Sequence, residues 1–94
     1  MQSAAERGAR LSAEGVIRRV DRLAREVSVE VGGTALVFDV PPGCDILLNE
    51  QPVRLRLLLP GDRVAVEYAS DPGLPAAHCI RVLGPAERPA SLIR

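Results

Sequence analysis

Apolar and polar residues alternate with a period of two over most of this chain. Val27, Val29 and Val31 alternate with Ser28 and Glu30; Leu36, Phe38 and Val40 alternate with Val37 and Asp39. An apolar side chain at every second position marks a half-buried strand, because successive side chains point to opposite faces. Gly32-Gly33 separates the two runs. A two-residue hairpin turn wants positive φ at both of its positions, which glycine takes without steric cost. A β-hairpin is therefore predicted here, ended by Pro41-Pro42-Gly43, since proline cannot donate to a central ladder.

The same period continues on both sides. Ile46-Leu47-Leu48 is a short apolar run closed by Asn49-Glu50-Gln51-Pro52. Val53, Leu55 and Leu57 alternate with Arg54 and Arg56, which predicts another half-buried strand. Pro60-Gly61-Asp62 turns the chain, and Val64, Val66 and Tyr68 then alternate with Ala65 and Glu67. The stretch Ser70-Asp71-Pro72-Gly73-Leu74-Pro75 is a loop by composition, and a last strand is predicted near Ala77 to Leu83. The first strand is predicted from Gly15, and the step from Ile17 to Val20 breaks alternation in the way a β-bulge does. Val20, Leu23, Ala24 and Val27 also stand at helix-like offsets, but strand, turn at Arg22-Leu23-Ala24-Arg25, strand accounts better for the flanking pattern.

Short strands with turn signals every eight to twelve residues or so indicate an all-β domain. The expected architecture is a small closed or partly open five- to seven-stranded barrel, OB- or SH3-like, because closure removes exposed edges. It is expected over residues 15–84. Residues 1–14 and 85–94 are expected as flexible tails, with capping-box spacing at Ser3-Ala4-Ala5-Glu6 allowing a short helix near residues 4–13.

Composition changes this picture little. The chain has 94 residues, 47% hydrophobic and 26% charged, which suits one globular domain. Lys+Arg and Asp+Glu are 12 each, all the basic residues being Arg, so net charge gives no argument for a nucleic-acid or anionic-membrane binder. The charge is unevenly spread, however: residues 26–52 hold five acids and no Arg, with Arg-rich segments on either side. No run approaches the roughly 18 apolar residues that span a bilayer. No export leader is visible in Met1 to Gly15, so the cytoplasm is expected, or the periplasm or exterior if a leader is removed before Met1.

Several segments together resemble a known group. They are Gly15-Val16-Ile17-Arg18-Arg19-Val20-Asp21, Val27-Ser28-Val29, Phe38-Asp39-Val40, Ile46-Leu47-Leu48-Asn49, Leu58 to Val66 and Ala77 to Val82. The chain resembles small bacterial β-barrel domains of unknown function, OB-like in strand order and frequently exported. Leu59-Pro60-Gly61-Asp62-Arg63-Val64-Ala65-Val66-Glu67 also resembles the turn and following strand of bacterial translation initiation factor one and related RNA-binding OB domains. These resemblances imply an architecture rather than an activity, since a Pro-Gly-Asp corner suits any such barrel.

Residues able to do chemistry are few. Arg54, Arg56, Arg63 and Arg81 could contact nucleic acid or another partner, but only Phe38 and Tyr68 could stack on bases, and both fall in phase with the core. Cys44, His78 and Cys79 are the candidate soft ligands, Asp45 could add an oxygen and a dimer the rest, but a structural zinc site wants four ligands and adjacent His78-Cys79 is not a usual chelating spacing. Adjacent His78 and Cys79 point to opposite faces of a strand and cannot form a nucleophile–base pair. Asp39, Asp45 and Glu50 lack an acid–base partner, and Arg18 and Arg22 match only the first half of the PilZ-domain motif. No catalytic, cofactor or metal site is therefore predicted. The expected function is a non-enzymatic interaction module for a protein partner, with homodimer formation open; the alternative is a weak single-stranded RNA or DNA binder on the four arginines.

Overall fold

The computed structural model describes residues 10–70 and 73–85. Seven strands form one sheet: β1 (Arg10–Asp21), β2 (Glu26–Val31), β3 (Thr34–Asp39), β4 (Asp45–Leu48), β5 (Gln51–Pro52), β6 (Arg63–Ala69) and β7 (Ala76–Gly84). The order is β3-β2-β1-β6-β7-β4-β5, with β3 also meeting β7. That extra pairing closes β1, β2, β3, β7 and β6 into a ring, the partly open Greek-key barrel of the OB fold.

β1 links the two halves of the ring. Its first half pairs with β6 from Arg10↔Ala69 to Val16↔Arg63, and its second half pairs with β2 from Val16↔Glu30 to Asp21↔Glu26. The strand can pass from one neighbour to the other because Gly15 has no side chain: a Cβ there would lie 2.1 Å from the Glu30 carbonyl oxygen. The register then shifts between Ile17 and Arg19, which is the expected bulge.

Gly32 and Gly33 have φ of 57° and 85° and join β2 to β3 as the pattern predicts. Past Pro41-Pro42-Gly43 the chain returns to the same neighbour. β3 meets β7 in parallel at Asp39↔Ala76, and β4 continues in parallel from Asp45↔Cys79 to Leu48↔Val82. β3 and β4 thus act as two halves of one broken strand.

Two expectations need correction. Residues 53–57 are not a strand: Leu55–Leu57 form a 3₁₀ turn, with Leu57 N–H donating to Arg54 O and Leu58 N–H to Leu55 O. Residues three apart eclipse in such a turn. Leu55 and Leu58 therefore both enter the core and cap the end of the barrel, while Leu57 faces water. A strand would have buried Leu57 with Leu55. In addition, β1 begins at Arg10, five residues before Gly15, so residues 10–14 extend along β6 instead of forming a tail or helix. The rest of the predicted short helix lies outside the described residues.

The core consists mostly of branched aliphatics: Ile17, Val27, Val29, Val40, Ile46, Val64, Val66 and Ile80, with Leu55, Leu58 and Phe38. Phe38 packs edge-on against Tyr68 at a centroid separation of 4.9 Å. The described residues contain no helix long and apolar enough to cross a membrane.

Candidate functional site

OB barrels commonly take ligands on the outer face of their second and third strands and the loops beside it. In this chain Val27 and Val29 point inward, so Glu26, Ser28 and Glu30 face outward. Pairing sets Asp21 beside Glu26, Glu26 opposite Asp39, and Ser28 between Arg19 and Val37. Asp21, Glu26, Glu30 and Asp39 thus stand on one face. Arg18 is ion-paired to Glu30 at 3.1 Å and Arg19 to Asp21 at 3.8 Å. This surface repels phosphate, and it has no stacking platform: Phe38 is buried, and Tyr68 is half-buried against it.

The edge of β3 differs from its face. The Gly32-Gly33 turn makes Val31 and Thr34 a hydrogen-bonded pair. Such pairs alternate along an antiparallel ladder. Leu36 and Phe38 therefore bond to β2, while Ala35, Val37 and Asp39 turn their backbone groups the other way. Asp39 uses its N–H to bond Pro75 O at 2.8 Å, and its pairing with Ala76 is the only β3–β7 partnership among the described residues. Ala35 and Val37 have no strand partner on that edge among the described residues.

The four arginines singled out from the sequence fall in two groups, at the 3₁₀ turn and on the β6–β7 face. Arg54 precedes the 3₁₀ turn and Arg56 lies within it. Arg63 and Arg81 share the outer face of β6 and β7, where Ala65 pairs with Arg81 and Arg63 with Gly84. Arg81 is ion-paired to Glu50 at 3.4 Å. Arg22 lies in the β1–β2 turn, apart from the bulge that holds Arg18.

Cys44 and Cys79 are free thiols. Cys44 immediately precedes Asp45, the ladder partner of Cys79, so the β4–β7 pairing brings the two cysteines near each other. Burial, with smaller contributions from Cys79 and Asp45, pushes the Cys44 thiol up to about 11. Burial also raises Cys79. Both therefore remain protonated near neutral pH, unlike an activated nucleophile. Among the described residues no three or more His, Cys, Asp or Glu side chains are grouped to hold a metal ion.

Sequence reasoning missed a groove of about 280 Å³ at the end of the barrel. Its apolar lining is Pro42, Ile46, Val53 and Leu55, with Cys44 beside them, and its charged residues are Arg25 and Arg54. Arg25 takes φ of 55°, donates from Nε to Val40 O at 2.8 Å, and accepts from Val40 N–H at 2.8 Å. No sequence signal joins residues so far apart; the break between β3 and β4 and the 3₁₀ turn bring them together.

No family model matches this chain. No curated protein matches it either. Among solved structures, it is similar to silver-bound CusF from Escherichia coli, with a TM-score of 0.64 and 17% identity over 80% of this chain and 92% of that one. It is likewise similar to apo-CusF from Escherichia coli, with a TM-score of 0.65 and 18% identity over 87% of this chain and 94% of that one. At this identity the likeness is one of fold: the chain is a small barrel of the kind seen in that bacterial protein.

Proposed function

We propose that this chain is a non-catalytic interaction module that binds an extended protein segment along the free edge of β3. The observation carrying this reading is the outward backbone of Ala35 and Val37, left without a strand partner among the described residues. An extended segment added there gains main-chain hydrogen bonds at once, and alternate side chains provide selectivity. The adjoining acidic face favours a segment bearing Lys or Arg. Metal binding, suggested by the silver-bound neighbour, has less support here, because among the described residues no three His, Cys, Asp or Glu side chains are grouped to hold an ion.

The test is Val37→Pro. The N–H removed points away from β2, so the barrel keeps its ladder, while an incoming strand loses a donor and meets the proline ring. Hydrogen exchange on the wild type with its captured partner should show slowed exchange at Ala35 and Val37, and Val37→Pro should release that partner. A partner retained by Val37→Pro overturns the edge assignment. A fluorescent single-stranded oligonucleotide serves as the contrasting probe: binding at low salt that weakens steeply as salt rises would favour the arginine surface instead.

A further inference from the structure

We infer that the groove between the β1–β2 turn, the β3–β4 break and the 3₁₀ turn receives the free C-terminal carboxylate of a partner protein whose last residue is apolar. The lining holds two arginines and no acid. Neither guanidinium has a carboxylate partner among the described residues, whereas Arg10, Arg18, Arg19 and Arg81 each have one. Two unneutralised arginines lining one groove complement a carboxylate, which accepts parallel hydrogen bonds from a planar fork.

Arg25 is held for this task. Its Nε is committed to Val40 O, so the side chain is fixed while its terminal nitrogens remain available. A fixed fork loses less freedom on binding than a mobile one. Arg54, exposed at the start of the 3₁₀ turn, lines the same groove. Ile46 and Leu55, both buried, and half-buried Val53 give that groove an apolar lining. A volume of about 280 Å³ is small for a whole ligand, since pockets for drug-sized molecules start at roughly 300 Å³. It suits one terminal residue whose chain leaves through the open side. This rests on the protein-binding reading for the nature of the occupant, but uses a different site from the β3 edge.

The experiment titrates a fluorescein-labelled Gly-Ser-Gly-Ser-Leu peptide with a free C-terminus into the full chain, beside the same peptide amidated at its C-terminus. The free acid should bind, and the amide should bind at least about tenfold more weakly, as for loss of a charge-assisted contact. Arg54→Gln should weaken the free acid by a similar factor with the melting temperature kept. Arg56→Gln, outside the lining, should leave binding unchanged. Bound peptide should also slow alkylation of Cys44 by N-ethylmaleimide relative to Cys79.

Equal binding of acid and amide, or no binding of either, overturns the inference. Displacement of the peptide by 4-methylpentanoate at equal molar concentration also overturns it, since a free short-chain acid would then be the preferred occupant. Val37→Pro should leave this titration unchanged, so failure here and failure of the β3-edge assignment are distinguishable.

Discussion

The backbone of Ile17 is bonded in both directions to the turn that ends at Asp62. Ile17 N–H donates to Asp62 O at 2.8 Å, and Ile17 O accepts from Gly61 N–H at 2.8 Å. The turn thus extends the β1–β6 ladder past Val16↔Arg63, at the point where the β1 bulge begins. Asp62 is only 3% exposed, and its Oδ2 accepts from Leu59 N–H at 2.9 Å. Asp62→Ala removes that acceptor from a part-buried donor and should cost about 2 kcal/mol in urea unfolding. Asp62→Asn keeps an oxygen acceptor and should cost less.

Gly15 permits β1 to change neighbours, and alanine there should be expensive. Its Cβ would meet the Glu30 carbonyl oxygen at 2.1 Å and Val29 Cγ1 at 2.8 Å, and backbone cannot yield as a flexible side chain can. Gly15→Ala should lower stability by about 2 kcal/mol or more. Gly43→Ala provides the contrast. Its Cβ would meet nothing within 4 Å, and φ there is not positive. It should be neutral or stabilising by about 0.5 kcal/mol through the unfolded chain. Chemical denaturation of the two variants under one set of conditions checks both signs.

The strands with strict alternation were readable from the sequence because branched apolar side chains occupy every second position. Val27, Val29, Val64 and Val66 are all in the core, and the Gly32-Gly33 and Pro60-Gly61-Asp62 turns carry the residues their geometry demands. Arg10 to Glu14 was not readable: that half of β1 faces inward with Leu11, Ala13 and Gly15, residues too small or too exposed to stand out as a core stripe. Val53 to Leu57 misled because alternation at a chain reversal resembles a strand, whereas the i, i+3 pair Leu55 and Leu58 was the informative spacing. The groove and the β3 edge depend on which strands meet, and pairing is a property of the assembled sheet rather than of any local segment.

The β4–β5 hairpin stores removable strain. Asn49 and Glu50 have φ of 54° and 64°, a pair of left-handed residues where Asn-Gly is the favoured choice. Glu50 adopts that conformation with a Cβ, at a cost of about 1 kcal/mol. Its ion pair with Arg81 offsets little, because both side chains are well exposed. Glu50→Gly should therefore raise stability by roughly 0.5 kcal/mol after the extra unfolded-state entropy of glycine is counted. A fall in the denaturation midpoint would mean that the Glu50–Arg81 contact matters more than its exposure implies.

Cys44 should make the barrel sensitive to alkali. Its thiol is raised from 9.0 to about 11 chiefly by burial, so the folded state favours the protonated form more than the unfolded chain does. Below the unfolded value, this preference adds nothing that changes with pH. As pH rises from 9.0 towards 11 the unfolded chain loses its proton first, and stability falls through that window. Because solvent reaches the half-buried thiol, the loss should be of order 1 kcal/mol rather than the full value of the shift. Urea unfolding at intervals across this window should show the midpoint of the wild type dropping relative to Cys44→Ser, which has no thiol to ionise at that position. Parallel curves for the two proteins would show that ionisation at this position does not affect folding.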